Sequence, residues 1–543
     1  MIKTPDGLSH VGKAAYTVLR SKHARHQKAM WNVTKAKMIG SLQQTPSANA
    51  FDKDRSPDFV DADDHSNWFA DKMCEIMSRT TVWCDVLSLA APDGYFKKKF
   101  KDALQNISKN AAGKSEPVIV RLMFGNIIGL PINCDKVIRH LTENLPKDSN
   151  IQLWVGAWRY GQSWNHTKVI AVDGKYLHTG GHNLWSDVYL KEDPVHDLSL
   201  EMEGSVAQDA HKYANEQWKF IEKKQGSRCG QFLENVPDWL PLVTVSRVIV
   251  SEYPRGEANE FAPYYTHPNK DHLTSTSNDE DEAAVPVISV GRQGALIDDD
   301  RPSDDAFVAM FDASKTIIRM SLQDIGPITM PGKIPLPGTG WPKPYLDALA
   351  RAIWKRSVDV EIVLSSEEAR SGYSNGWSAY DVGAEIIKRI QKQFPEATDA
   401  ELRQKVEDNL RICYIRHGSG NAYPSGRQIA NHTKYFIVDD VCSYTGSQNM
   451  YVCDLAEWGV IIDDAEITEK MLGDYWNPLW EASFDASDCE VQDVMDGLEV
   501  DRDGEVVNTY SADGKKKMKA AAKALAKAQL PPDTELYDED DMY

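Results

Sequence analysis

Asn165-His166-Thr167-Lys168 recurs, residue for residue, as Asn431-His432-Thr433-Lys434. Each copy continues with an Asp (Asp173, Asp439), then a Gly (Gly180, Gly446), then an Asn (Asn183, Asn449), at the same spacing both times. A string H-x-K-x4-D-x6-G-x2-N written twice in one chain constrains the fold more than composition does. It predicts an internal duplication and one site assembled from two contributions.

The stretches that precede the two copies support this. Before the first, the pattern predicts helix 68–78, strand 81–89, helix 95–112, strand 117–124, helix 134–145 and strand 151–158. Before the second it predicts strand 316–322, helix 344–354, strand 358–365, helix 379–393 and strand 410–415. Strands alternating with helices imply an α/β protein made of two similar α/β/α-layered parts with mixed sheets and the site between them. The domain reading is a polar, partly disordered leader over 1–65, a first part over 66–270 and an acidic connector over 271–284. A second part spans 285–485, and a charged tail over 486–543 carries a basic helix (Lys515 to Gln529) and an acidic end.

A net charge of −20 opposes attraction to nucleic acid and anionic surfaces, so no nucleic-acid partner is expected. No apolar run approaches the roughly 18 to 20 residues needed to span a bilayer. No secretory signal is read at the start, which makes the cytoplasm the expected compartment. The eight cysteines contain no C-x2-C pair, so neither zinc nor a disulfide framework is expected. Pro327 to Tyr345, rich in Pro and Gly yet carrying Ile328, Met330, Leu336 and Trp341, has two readings: a loop packed on the second part, or an apolar flap that meets lipid.

The repeated motif carries its own chemistry. In a strand, positions i and i+2 share a face, so His166 projects with Lys168 and His432 with Lys434. Two imidazoles and two ammonium groups around one volume suit a phosphate ester. The lysines, with Asn183 and Asn449, bind non-bridging oxygens, while one neutral imidazole attacks phosphorus and one protonated imidazole serves the leaving oxygen. No metal or cofactor is needed for this. Each ring needs an acceptor on its other nitrogen, and Asp197 and Glu457 follow the two motifs at the start of apolar runs.

With these residues in view, the chain resembles the phospholipase D superfamily, whose signature is a duplicated H-x-K-x4-D, and within it the secreted actinomycete-type enzymes, over about residues 68 to 483. Further matches in the same order are Gly180-Gly181-His182-Asn183-Leu184-Trp185, Gly372-Tyr373-Ser374 and Gly446-Ser447-Gln448-Asn449. The resemblance implies His166 as nucleophile, His432 as general acid, and Asp197 and Glu457 as ring-orienting carboxylates, although the family more often has Asp where Glu457 stands. It gives Asp173 and Asp439 a structural role, and sets Trp185, Tyr189, Gln323 and Asp324 at the headgroup and acyl entrance. The implied reaction is hydrolysis of a glycerophospholipid to phosphatidic acid and free headgroup through a phosphohistidine, with transfer to alcohols. The partner is a phospholipid in a membrane or micelle surface, met by a peripheral monomer. Two alternatives stand beside it, a nuclease or other phosphodiesterase of the same superfamily and a non-catalytic lipid-binding protein. His182, His196 and His417 are read as structural or surface residues, His417 with a possible place on the rim. Asn165 and Asn431 each begin an Asn-His-Thr acceptor sequence for glycosylation, which burial would silence.

Overall fold

A computed structural model describes residues 5, 7–51, 67–127, 131–161, 163–225, 247–254, 283–294, 300–330, 334–335, 339–370, 372–418 and 420–500. The basic helix, the acidic end and nearly all of the acidic connector lie outside the described residues.

The chain begins with α1 (His10–Lys22), capped where Gly12 N–H donates to Ser9 Oγ at 3.1 Å, and then β1 (Trp31–Thr45). The first repeat runs α2 (Asn67–Ser78), β2 (Trp83–Ser88), α3 (Gly94–Ala111), β3 (Val118–Gly125), α4 (Cys134–Thr142) and β4 (Ile151–Tyr160). It continues through the short β5 (Ser163–Trp164), β6 (Val169–Val172), β7 (Tyr176–Gly180), α5 (Ser186–Tyr189), β8 (Asp197–Gly204), α6 (Val206–Gln225) and β9 (Arg247–Tyr253). The second repeat runs β10 (Val285–Arg292), α7 (Pro302–Ala313), β11 (Ile317–Leu322), the small hairpin β12 (Thr329–Met330) and β13 (Ile334–Pro335), α8 (Lys343–Arg356) and β14 (Asp359–Leu364). Then come α9 (Ala379–Gln393), α10 (Asp399–Asn409), β15 (Leu410–Tyr414), β16 (Lys434–Val438), β17 (Cys442–Gly446), β18 (Glu457–Ile462), α11 (Ala465–Met471), α12 (Asn477–Ser483) and α13 (Val491–Gly497). Capping boxes at Ser378/Asp381 and Thr398/Glu401 fix the starts of α9 and α10.

All but the small hairpin join one mixed sheet, in the order β15-β14-β11-β16-β17-β18-β10-β1-β8-β7-β6-β2-β3-β4-β5, with β9 also on β4. The order is a palindrome about β1 and β10. On each side two parallel pairings (β2 with β3, β3 with β4; β11 with β14, β14 with β15) are followed by antiparallel ones. The buried strands β2, β3, β16 and β18 are nearly continuous in apolar residues because both faces are covered. On one face a single core links Trp83, Met123 and Trp154 to Tyr435, Trp458 and Trp476. The other face has two separate cores, one under α2, α3 and α4 and one under α1, α7, α8 and α9.

Two expectations change. The leader over 1–65 is, for its described part, structural. β1 pairs through 31–36 with β10 on one side and through 36–39 and 43–45 with β8 on the other, so mixed sheets become one sheet. Val11, Ala15 and Leu19 of α1 are fully buried against the second repeat's core. Polar composition concealed this because β1 exposes or half-exposes many side chains along its length. The tail likewise begins later than 486, since Val491, Val494 and Met495 of α13 pack into that same core.

The repeats also share an ion pair of reversed polarity. Asp85 on β2 lies opposite Arg121 on β3, and at the matching place Arg319 on β11 lies opposite Glu361 on β14. Arg121 Nε donates to Asp85 Oδ1 at 2.6 Å and Nη2 to Oδ2 at 2.8 Å, while Arg319 Nη1 donates to Glu361. The Asp85–Arg121 pair is fully buried and the Arg319–Glu361 pair partly so, and a charge taken out of water needs a paired, hydrogen-bonded partner in either polarity.

Candidate active site

Each motif copy enters its strand from an extended segment that is pinned to the other repeat. His166 N–H donates to Ala456 O at 2.9 Å and Ala456 N–H to Trp164 O at 3.0 Å, while His432 N–H donates to His196 O at 2.7 Å and His196 N–H to Ala430 O at 2.8 Å. The histidines therefore sit just before β6 and β16 rather than inside regular strands, and β16 itself begins at Lys434. Inside each copy the Asn side chain is spent on the fold. Asn165 Nδ2 donates to Ser88 O and Met123 O, Asn431 Nδ2 to Ser321 Oγ and Val363 O, and each Oδ1 accepts the N–H two residues on. Both are fully buried, so neither acceptor sequence is open to a glycan.

The carboxylates cross over. Glu457, the first residue of β18, accepts from His166 Nδ1 with both oxygens at 3.0 Å, and Asp197, the first residue of β8, accepts from His432 Nδ1 at 2.6 Å. Each imidazole thus leaves Nε2 free of its carboxylate, and the longer Glu457 reaches its ring without difficulty. Ser447 Oγ donates to Glu457 at 2.5 Å, and Tyr189 OH donates to Asp197 at 2.9 Å. Lys168 Nζ donates to His166 O at 2.7 Å and Lys434 Nζ to His432 O. Asn183 and Asn449 are buried, and Asn449 Nδ2 donates to Tyr451 OH at 2.7 Å.

Burial dominates the electrostatics. Desolvation pulls His166 down to about 4 against the raising effect of Glu457, and pulls His432 well below the imidazole range, where Lys434 and Lys168 push the same way. It also lowers Lys168 strongly and brings Lys434 down to about 8. Burial therefore disfavours the positive charge on all four of these groups. A bound phosphodiester anion reverses that tendency for every one of these groups.

The remaining sequence-derived residues divide. Asp173 and Asp439 have positive φ (52° and 54°). Asp173 accepts the backbone N–H groups of Thr81, Val82 and Trp83, and Asp439 those of Lys315, Thr316 and Ile317, so each ties its strand turn to the start of the neighbouring strand. The four residues expected at the entrance have different surroundings. Tyr189 is fully buried behind the site, its hydroxyl 3.1 Å from His432 Nδ1 as well as on Asp197. Asp324 accepts from Gly326 N at 2.7 Å and Asn375 N at 3.0 Å, and burial pushes it up to about 7. Gln323 donates to Gly372 O at 3.3 Å, and Trp185 is half-buried against the first repeat's outer core. His182, His196 and His417 are all buried: His182 bridges Ser199 and Thr45, His196 meets Tyr475 OH, and His417 packs on Phe51 rather than at a rim. The described part of Pro327 to Tyr345 is tied down by Thr329 Oγ1 to Asn375 O (2.6 Å) and by Trp341 against Trp377, as a packed loop would be.

Sequence reasoning missed Tyr373, whose ring lies 4.9 Å from that of His432, and Ser447. It also missed Tyr213 and Tyr475, whose hydroxyls reach Thr167 and the Ser321–Thr433 pair. Only the Gly372-Tyr373-Ser374 and Gly446-Ser447 matches carried any signal of these.

No family model matches the chain. It is 25% identical over 463 residues to phospholipase D of Streptomyces antibioticus, an alignment that covers 77% of each chain. Solved structures similar to the chain include the following two. One is phosphatidylserine synthase of Haemophilus influenzae Rd KW20 (12% identity, TM-score 0.49, 96% of this chain and 99% of that one). The other is Nuc, a phospholipase D family member from Salmonella typhimurium (23% identity, TM-score 0.20, 33% of this chain and 86% of that one). Both H-x-K-x4-D copies are complete and 77% of the chain aligns with a phospholipase D, a similarity that supports a place in the phospholipase D superfamily and chemistry of phosphodiesterase type.

Proposed function

We propose that the protein is a phospholipase D that hydrolyses the distal phosphodiester of a glycerophospholipid to phosphatidic acid and free headgroup. His166 Nε2 attacks phosphorus, and the bond to the headgroup oxygen breaks as that oxygen takes the proton of His432 Nε2. His432, now neutral, removes a proton from water, whose oxygen displaces His166 from phosphorus. An alcohol in place of the water gives a transphosphatidylation product. Lys168, Lys434, Asn183 and Asn449 bind the non-bridging oxygens and the charge that grows on them. Glu457 and Asp197 hold the rings so that Nε2 faces phosphorus in both steps.

The observation that carries this reading is the crossed pair of imidazole–carboxylate contacts, His166 on Glu457 and His432 on Asp197, within a buried site that also holds both lysines. A phospholipid as substrate is supported by the relative's name, phospholipase D, and phosphatidylcholine by the sequence resemblance alone. The substrate is met at a membrane or micelle surface, and among the described residues no helix is long and apolar enough to cross a membrane. The test is purified protein with phosphatidylcholine vesicles and ethanol in the presence of a chelator, and in parallel with single-stranded DNA. Phosphatidylethanol and phosphatidic acid are expected. Cleavage of DNA without lipid turnover, or turnover of neither, overturns the proposal.

A further inference from the structure

The two ring-orienting carboxylates differ in length, and the difference has a local counterpart. β7 pairs with β8 through Gly180 and Ser199, and β17 with β18 through Gly446 and Gly459, so Asp197 matches Glu457 and the next residue of each preceding strand, Gly181, matches Ser447. At Gly181 an added Cβ would lie 2.0 Å from Asp197 Oδ1, so the short carboxylate occupies the space a side chain would need. In the other repeat that position carries a hydroxymethyl group. Ser447 Oγ accepts from Trp458 N at 3.1 Å and donates to Glu457 Oε2 at 2.5 Å, which leaves both Glu457 oxygens 3.0 Å from His166 Nδ1. Asp197 takes its matching hydroxyl from elsewhere, from Tyr189. Ser447, Glu457 and Asp197 are all fully buried, so none of these contacts is exchanged with solvent.

We propose that Ser447 is a positioning residue for His166, acting through Glu457, and that side-chain size at 181 or 447 and carboxylate length at 197 or 457 form matched pairs, glycine with aspartate and serine with glutamate. The inference rests on His166 and His432 being the reacting pair. Without the Ser447 hydroxyl the Glu457 carboxylate can rotate, and the imidazole loses its fixed acceptor. With Asp at 457 the carboxylate can reach the ring only if it moves into the space that Ser447 fills.

The test follows turnover of a soluble short-chain phosphatidylcholine, thermal melting, and the downfield proton signals of hydrogen-bonded imidazole N–H groups, assigned by His166→Ala and His432→Ala. Ser447→Ala is expected to lower kcat roughly 10- to 100-fold with KM unchanged, the size typical of losing a group that orients a reacting one. It is also expected to shift or broaden the His166 signal while leaving that of His432 in place. Glu457→Asp is expected to lose more, and adding Ser447→Gly to it to restore about 10-fold, a non-additivity that independent sites do not show. The reciprocal series, Gly181→Ser alone and with Asp197→Glu, is expected to behave the same way through His432, and keeps the test open if one series folds poorly. An unmoved His166 signal in Ser447→Ala, or a Ser447→Gly/Glu457→Asp double variant no better than Glu457→Asp, overturns the inference. A wild type that turns over no phosphodiester overturns the functional reading instead, which the proton signals tell apart.

Discussion

His166 and His432 meet the pocket with Nδ1 already engaged, so their chemistry is left to Nε2 and to the charge around it. Residues that touch the pocket and residues that hold its strands are therefore expected to fail differently. His166→Ala and His432→Ala each remove nearly all turnover without lowering the melting temperature. Asp173→Ala, which deletes an acceptor for three backbone N–H groups at a positive-φ position, costs about 2 kcal/mol of stability while the folded fraction keeps its kcat. Thermal melting alongside turnover separates the two classes. For pH dependence, a lysine binds phosphate as the cation, which exists below its pKa and is lost above it. With Lys434 held near 8 by burial and Lys168 and His432 lowered as well, kcat/KM on a soluble phosphodiester is expected to be falling already by about pH 8, and a flat profile to the ordinary lysine range contradicts this. The histidines and lysines proposed to react were legible in the sequence because duplication marks them. Their partners were not, since Ser447, Tyr189 and Tyr373 act through contacts between segments far apart in the chain.

At the level of elements, most strands and helices follow from local pattern: α9 lies where it was expected, and β2, β3, β14 and β15 are shifted at their ends by two residues or fewer. The exceptions are α1 and β1. Their sequence is polar and basic, and their place is set by long-range pairing, with β1 filling the gap between β8 and β10 and α1 lying on α7. Polar contacts add to this docking, Ser9 N–H to Asp463 at 2.7 Å and His10 Nε2 to Asp439 at 2.6 Å, the latter being the signature Asp of the second motif. Leu19→Ala is accordingly expected to cost about 2 to 5 kcal/mol, the range for emptying a buried leucine site, although Leu19 is not part of the pocket. Chemical denaturation checks it, and an effect within about 0.5 kcal/mol, the range of surface substitutions, means that α1 is not docked as described.

For the whole molecule, the crossed contacts mean that neither repeat holds a complete histidine–carboxylate pair by itself. His166 depends on β18 and His432 on β8, and the backbone pins of the two motifs run the same way. Residues 1–270 and 283–543 expressed separately are expected to show no turnover, and to recover it only when they are produced together. Activity in either piece alone contradicts the crossed arrangement. The central claim is that one histidine from each repeat shares one phosphoryl transfer, with His166 bonded to phosphorus. The direct measurement is rapid acid-free quenching of the protein with excess phospholipid, followed by peptide mapping by mass spectrometry. The account predicts a phosphatidyl or phosphoryl adduct on the peptide containing His166 and none in His166→Ala. An adduct on His432 alone, or turnover with no histidine adduct at any quench time, contradicts it.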